Sequence, residues 1–338
     1  MNHDLAPDRV RVSVGTASVL GLLRYRLSVS PTTAYLMTYT EGSCLANCSF
    51  CAQARDHQAN RDQLSRVVWP DYPLDRVIDG FRNPVHDVLE RVCVQVIYYP
   101  GFLDDTVDLV RLLREETGLP VSVDTCPVDK ESLLRLREAG AEMISIPLDG
   151  ATPRIFDEIK GRDVKGPYRW ERHMEALRAA VEVFGDDNVG SNLIVGLGET
   201  EREATELIQM LHDMKVKTVL FAFTPLAGTR LEDLPPPQLE NYRRLQAARH
   251  LIVNGHAAME DMSFDEDGKI TSYGEVDLYT VLGDGVAFMT TGCPGCNRPF
   301  YNERPSGPFY NYPRPLTEDE IKEELASLKK IEIRKKLG

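Results

Sequence analysis

From about residue 33 onward, short β-branched runs alternate with amphipathic stretches. The apolar runs fall at residues 34–37 (AYLM), 92–98 (VCVQVIY), Val121–Asp124 (VSVD), 143–148 (MISIPL), 192–195 (NLIV) and 219–223 (VLFAF), and each reads as a strand. Between them, residues 103–117, 129–139 and Trp170–Phe184 have helical spacing and stop at Gly118, Gly140 and Gly185. A glycine there can adopt the left-handed conformation that ends a helix. The strands are continuously apolar, as in a sheet covered on both faces, and strict strand–helix alternation predicts parallel βαβ units. The expected fold class is α/β: a (β/α) barrel, full or partial, over residues 30–285, with its chemistry on loops at the C-terminal ends of the strands. A doubly wound dinucleotide-binding sheet is the alternative, but no GxGxxG follows the first strand.

The flanks read differently. Residues 1–29 form an N-terminal extension, and residues 286–338 a C-terminal segment expected to close the barrel. Within the latter, residues 290–315 (TTGCPGCNRPFYNERPSGPFYNYPRP) are dense in Pro, Gly, Asn and aromatics and predict an irregular loop that needs packing or a metal to be ordered. A terminal helix follows: Thr317 and Glu320 have capping-box spacing, acids fill the first turns, and Lys329, Lys330, Arg334, Lys335 and Lys336 the last. The formal charge of −13 argues against a nucleic-acid partner held by phosphate contacts, while 42% hydrophobic residues suffice for a large core. Residues 1–9 (MNHDLAPDR) lack the apolar core of a signal peptide and no apolar run is long enough to span a membrane, so a cytoplasmic protein with no membrane partner is expected.

Seven cysteines, at 44, 48, 51, 93, 126, 293 and 296, change this picture most. An odd number without an export signal disfavours a disulfide framework and favours metal-binding or catalytic thiols. Cys44-x3-Cys48-x2-Cys51 lies in one polar, glycine-bearing loop (EGSCLANCSFCAQ) just after the first strand. Three thiolates this close reach three irons of a [4Fe-4S] cube and leave the fourth open for a non-protein ligand, whereas structural zinc usually takes four protein ligands. Cys93 and Cys126 fall in the second strand and at the end of the third, so both thiols can face one barrel interior. With Cys293-Pro-Gly-Cys296 they make four. Ordinary buried cysteines, half a zinc ribbon, a redox pair and a second cluster all remain open for this set.

The CxxxCxxC loop, with Phe50 before its last cysteine, resembles the radical S-adenosylmethionine superfamily. The resemblance implies a radical SAM barrel whose open iron binds S-adenosylmethionine and, with one electron, yields a 5′-deoxyadenosyl radical. It also implies cofactor contacts. Residues 190–200 (GSNLIVGLGET) look like the fifth-strand motif, with Ile194 near the adenine and Gly196 and Gly198 letting backbone approach. Residues 225–231 (PLAGTRL, from Pro225) look like the sixth-strand segment along the adenosyl group. Tyr98, in YYPG, stands where backbone carbonyls take the methionyl amino group, and Asp149 matches a carboxylate near the ribose; a helix N-cap is the plain reading of Asp149.

Residues 44–231 are most similar to biotin synthases, which place cysteines at the positions of Cys93 and Cys126 to hold a sulfur-donating cluster; their third ligand falls on Gly190 here. The tail from GCPGC onward and residues 11–23 (RVSVGTASVLGLL) resemble archaeal-type two-subunit lipoyl synthases. That resemblance implies sulfur insertion into an octanoyl-lysine on a carrier protein, either glycine cleavage H protein or a 2-oxoacid dehydrogenase lipoyl domain. It further implies a paralogous radical SAM subunit, an electron donor such as ferredoxin, and two [4Fe-4S] clusters, the auxiliary one on Cys93, Cys126, Cys293 and Cys296. Ser306 is a further candidate ligand, since single-chain lipoyl synthases use a C-terminal serine, and Tyr301, Tyr310 and Tyr312 are candidates to line an acyl channel. A relative whose auxiliary cluster relays electrons or binds substrate is the alternative.

Overall fold

The computed structural model describes residues 7–82 and 88–336, with side chains to residue 328. The first six residues and the side chains of the basic last turns therefore lie outside the described residues. In chain order the elements are β1 (Arg9–Val12), α1 (Val14–Val19), β2 (Thr33–Thr38), β3 (Gln63–Leu64), β4 (Val67–Val68), β5 (Asp71–Pro73), α2 (Leu74–Phe81), β6 (Arg91–Gln95), α3 (Phe102–Thr117), β7 (Val121–Asp124), α4 (Lys130–Glu138) and β8 (Ala141–Ser145). They continue with α5 (Pro153–Ile159), α6 (Trp170–Phe184), β9 (Val189–Val195), α7 (Glu201–Asp213), β10 (Lys217–Ala222), α8 (Leu239–Val253), β11 (Ser263–Phe264), β12 (Ile270–Ser272), α9 (Leu278–Leu282) and α10 (Glu318–Lys336).

One eight-stranded sheet has the order β10-β9-β8-β7-β6-β2-β1-β5. The six strands from β2 to β10 are parallel. The sheet is open, so the partial barrel is the form adopted. β1 pairs antiparallel with both β2 and β5, which brings the N-terminal extension into the sheet itself. The expected helix stops hold: α3 ends on Gly118 at φ 66° and α6 on Gly185 at φ 83°. Thr317 and Glu320 form the expected cap, each backbone N–H bonded to the other's side chain.

On β2, β6 and β7, alternate side chains face opposite ways. Leu36, Val92, Val94 and Val121 enter the core beneath the helices, while Tyr35, Met37, Cys93, Gln95, Ser122 and Asp124 face a cavity on the concave side. That core runs from Val10 and Val12 to Leu325 and Leu328, so both flanks share it. Among the described residues no helix is long and apolar enough to cross a membrane.

The C-terminal segment runs along the edge strand β10 and reaches the residues just before β2. Thr291 Oγ1 accepts from Leu220 N (2.9 Å), and Asn302 Nδ2 donates to Ala222 O (2.8 Å). On the other side Asn297 Oδ1 accepts from Thr32 N (3.1 Å) and its Nδ2 donates to Ser30 O (2.9 Å). Side-chain amides thus satisfy edge groups that a ninth strand would otherwise pair. The sequence suggests a tail folded over the barrel mouth; the structure makes it a lateral wall instead, because Asn297 and Gly295 bond residues at the start of β2 rather than its end. Arg243 of α8 anchors this wall, buried against Glu324 of α10 and donating to the carbonyls of Phe309 and Tyr310.

Candidate functional site: two thiol groups in one cavity

A cavity of about 300 Å³ opens inside the curled sheet, and all seven cysteines line it. None is in a disulfide. Among the described residues no three thiol, imidazole or carboxylate groups converge on the point a single ion would occupy.

Cys44, Cys48 and Cys51 sit on the loop after β2, at the C-terminal end of the parallel strands. Backbone bonds fold this loop: Cys44 N to Gln53 O (3.0 Å), Cys51 N to Cys48 O (3.1 Å) and Leu45 N to Tyr98 O (2.7 Å). Burial raises all three thiols above the ordinary range, Cys51 to about 12, and the neighbouring thiols add to this for Cys48 and Cys51. A positive charge stands beside them. Lys160 Nζ, buried, donates to Asp149 Oδ2 (2.6 Å) and Pro147 O (2.8 Å) and lies over the rings of Tyr168 (5.1 Å) and Phe156 (5.6 Å). Burial works against its charge, but Asp149 and Cys48 outweigh burial and raise its pKa.

The expected cofactor contacts separate. Phe50, Asp149 and Ile194 line the cavity with the cysteine loop. Tyr98 instead lines an adjoining cavity of about 580 Å³ that shares Cys126 and Tyr168 with the first. Gly196 and Pro225 are not among the lining residues of the main cavity. The φ of Gly196 is +104°, and an added Cβ would stand 2.9 Å from Pro237 Cδ, so this glycine serves the turn. The two carboxylate oxygens of Glu199 hold the turn by accepting from Gly196 N (2.6 Å) and Leu197 N (2.9 Å). Asp149 does not cap α5, whose N-cap is Thr152. It sits at φ 64° between backbone bonds to Asn192 O and from Ile194 N.

The remaining cysteines do not form the expected set of four. The register aligns Tyr35, Cys93 and Ser122 in one row across β2, β6 and β7, and the CPGC turn delivers its thiols to that row. Tyr35 Oη lies 3.3 Å from Cys296 Sγ, and Ser122 and Cys293 line the same cavity. The thiols acting on Cys93 are those of Cys293 and Cys296. Cys126 stands four residues beyond Ser122, past the end of β7, and the thiol acting on it is that of Cys44. The difference is one of height: Cys93 is inside its strand, whereas Cys126 is two residues past the end of β7.

Other expectations also shift. Ser306 is exposed and does not line the cavity. Of the three tyrosines only Tyr301 lines it; Tyr310 donates to Pro237 O (2.6 Å) and Tyr312 to Glu324 Oε1 (2.9 Å), so both fasten the tail. Several lining residues had no sequence signal: Lys160, Arg298, and Asp124, which accepts from Asn192 Nδ2 (3.0 Å). Their partners lie 11 to 68 positions away or further, beyond any local spacing rule.

Comparison with known proteins agrees with this arrangement. Residues 40–211 match the Radical SAM superfamily. The biotin synthase of Geobacter metallireducens is 30% identical over 200 residues, covering 56% of this chain and 55% of that protein, and that of Aquifex aeolicus is 24% identical over 199 residues (57% and 56%). The ribosomal protein uS12 methylthiotransferase RimO of Thermus thermophilus is 31% identical over 118 residues, 34% of this chain and 26% of that one. The chain spans little more than half the length of the biotin synthases it matches. The crystal structure of methylornithine synthase (PylB) shares the fold, with a TM-score of 0.50 at 16% identity over 71% of this chain and 67% of that one. With its cysteine loop at the end of the first parallel strand and residues 40–211 matched, just over half its length, this chain belongs to the radical SAM superfamily.

Proposed function

We propose that the chain is a sulfur-inserting radical SAM enzyme, one subunit of a two-subunit lipoyl synthase that thiolates an octanoyl-lysine on a carrier domain. The observation that carries sulfur insertion is the second group of thiols, Cys93, Cys293 and Cys296, in the same cavity as the CxxxCxxC loop. Cys44, Cys48 and Cys51 would hold the first [4Fe-4S] cluster. Together with S-adenosylmethionine, that cluster supplies a deoxyadenosyl radical able to take hydrogen from an unactivated C–H. The three further thiols would hold a second cluster whose sulfide is the co-substrate.

The chain's own residues fit these tasks. Lys160 brings a buried positive charge to the side of the cysteine loop and fixes the Asp149 carboxylate at the cavity wall. Met37, Ile97, Ile194 and Phe221 give the cavity an apolar lining suited to an aliphatic chain and to the exclusion of water. Asn192 orients Asp124 midway between the two thiol groups. The octanoyl-lysine substrate, the paralogous subunit, the carrier (glycine cleavage H protein or 2-oxoacid dehydrogenase lipoyl domain) and a ferredoxin-like donor rest on the likeness of residues 11–23 and of the tail to two-subunit lipoyl synthases.

The similarity to biotin synthases supports a second reading, a related enzyme whose auxiliary cluster relays electrons or binds substrate. The deciding experiment is anaerobic reconstitution with iron and sulfide, followed by an octanoyl-lysine peptide assay with and without the paralogous subunit. Thiolation at the 6- or 8-position with loss of cluster sulfide is the expected result. Cleavage of S-adenosylmethionine with neither carbon thiolated would refute it.

A further inference from the structure

We infer that the second cluster is held by three thiolates, those of Cys93, Cys293 and Cys296, with Cys126 outside it and one iron left without a protein ligand. This rests on the proposal that a second cluster exists, and deepens it.

Three observations carry the count. The first is height. Cys93 belongs to the Tyr35–Cys93–Ser122 row, to which the CPGC turn brings its two sulfurs, while Cys126 lies four residues past Ser122, beyond the end of β7. The turn itself is built for close approach: Cys296 N bonds Cys293 O (3.0 Å), and an added Cβ on Gly292, at φ 151°, would stand 3.1 Å from Cys296 Sγ.

The second is that the sulfurs of Cys93 and Cys296 each have a side-chain hydrogen-bond partner. Gln95 Nε2 donates to Cys93 Sγ (3.2 Å). The Tyr35 oxygen accepts from Arg298 N (2.9 Å), which leaves its O–H for Cys296 Sγ. Ser122, whose oxygen accepts from Arg91 Nη1 (3.0 Å), lines the cavity with Cys293. Donors fixed in this way favour thiolates and are the outer shell expected around metal-bound sulfur.

The third is charge. Arg298 lines the same end of the cavity, buried and stacked on Phe221 at 3.8 Å, and its Nε and Nη1 have no hydrogen-bond partner. A guanidinium in that position favours a small anion as the outside ligand of the remaining iron.

The test uses the full chain with Cys44, Cys48 and Cys51 all replaced by Ala, so that only the second site is read. After anaerobic reconstitution about four irons per chain are expected. Adding Cys126→Ala or Cys126→Ser should leave that number and the electron paramagnetic resonance signal of the reduced cluster unchanged. Replacing Cys93, Cys293 or Cys296 should abolish both. Cyanide, used as the anionic probe, should shift the signal, and ¹³C-cyanide should show hyperfine coupling. Loss of the irons from both Cys126 variants, or a signal indifferent to cyanide, overturns the three-thiolate site while leaving a second cluster in place. A triple variant that takes up no iron overturns the second cluster itself, and the inference with it.

Discussion

Replacing Lys160 by Met strips the partner from a carboxylate that has nowhere else to turn. The side chains of Lys160 and Asp149 are 5% and 9% exposed and meet at 2.6 Å, so solvent screens the pair little. Breaking a buried pair by removing one partner costs about 3–5 kcal/mol, mostly because the other charge stays behind undissolved. Lys160→Met should lower unfolding free energy by that amount, and Asp149→Asn, which keeps a residue tolerant of φ 64°, by a similar amount. The double variant removes both charges. With no charge left unpaired it should cost no more than either single change, giving a coupling of at least about 3 kcal/mol. Urea unfolding of the four proteins under reducing, anaerobic conditions measures the cycle. If the two single effects add to within about 0.5 kcal/mol, the pair is not coupled and the electrostatic account of this wall is wrong.

Other outcomes follow from the same geometry. Burial lifts Glu303 to about 7, against backbone N–H bonds from Asn311 and Tyr310 and the charge of Arg298, which lower it. A carboxyl raised above its unfolded value binds an extra proton when folded, so its contribution is full below about pH 4.5 and is lost as pH rises to about 7. Between pH 6 and 8 the wild type should therefore lose about 1 kcal/mol relative to Glu303→Gln in denaturant titrations; parallel pH dependence would count against it. Gly196→Ala forces an L-residue to φ +104° with its Cβ against Pro237, and should lower stability by about 1–3 kcal/mol, read as a fall in melting temperature. Tyr35→Phe keeps the ring packing on Tyr301 (5.4 Å) but removes the O–H facing Cys296. The midpoint potential of the proposed second cluster should move to a more negative value in a redox titration, and an unmoved potential would show that the hydroxyl is not a donor to it.

The parallel strands were readable because a strand buried on both faces leaves a continuous apolar run, as AYLM does in β2, and because Gly118 and Gly185 mark helix ends by their conformation. β1 was not, since the four alternating residues RVRV are too short a run to show which two distant segments they pair with. The first thiol group is legible because its spacing is local. The second is assembled from residues more than 150 positions apart, and the difference in height between Cys93 and Cys126 depends on where each strand stops, the feature that composition specifies least. Lys160 escaped notice for a similar reason: a lysine in EIKGRD looks like any surface lysine until α5 turns it inward onto Asp149.

The wall between β10 and β2 also sets an order of assembly. The CxxxCxxC loop folds against strands made early in synthesis, whereas Cys296 meets Tyr35 across 261 positions and Asn297 meets Thr32 across 265. Contacts of such separation form late, and on the ribosome they form only after residue 297 has emerged. Until then the edge strand β10 lacks the side-chain partners that this segment supplies. The last stave provides them and, in the same movement, brings two of the three thiols that complete the proposed second site.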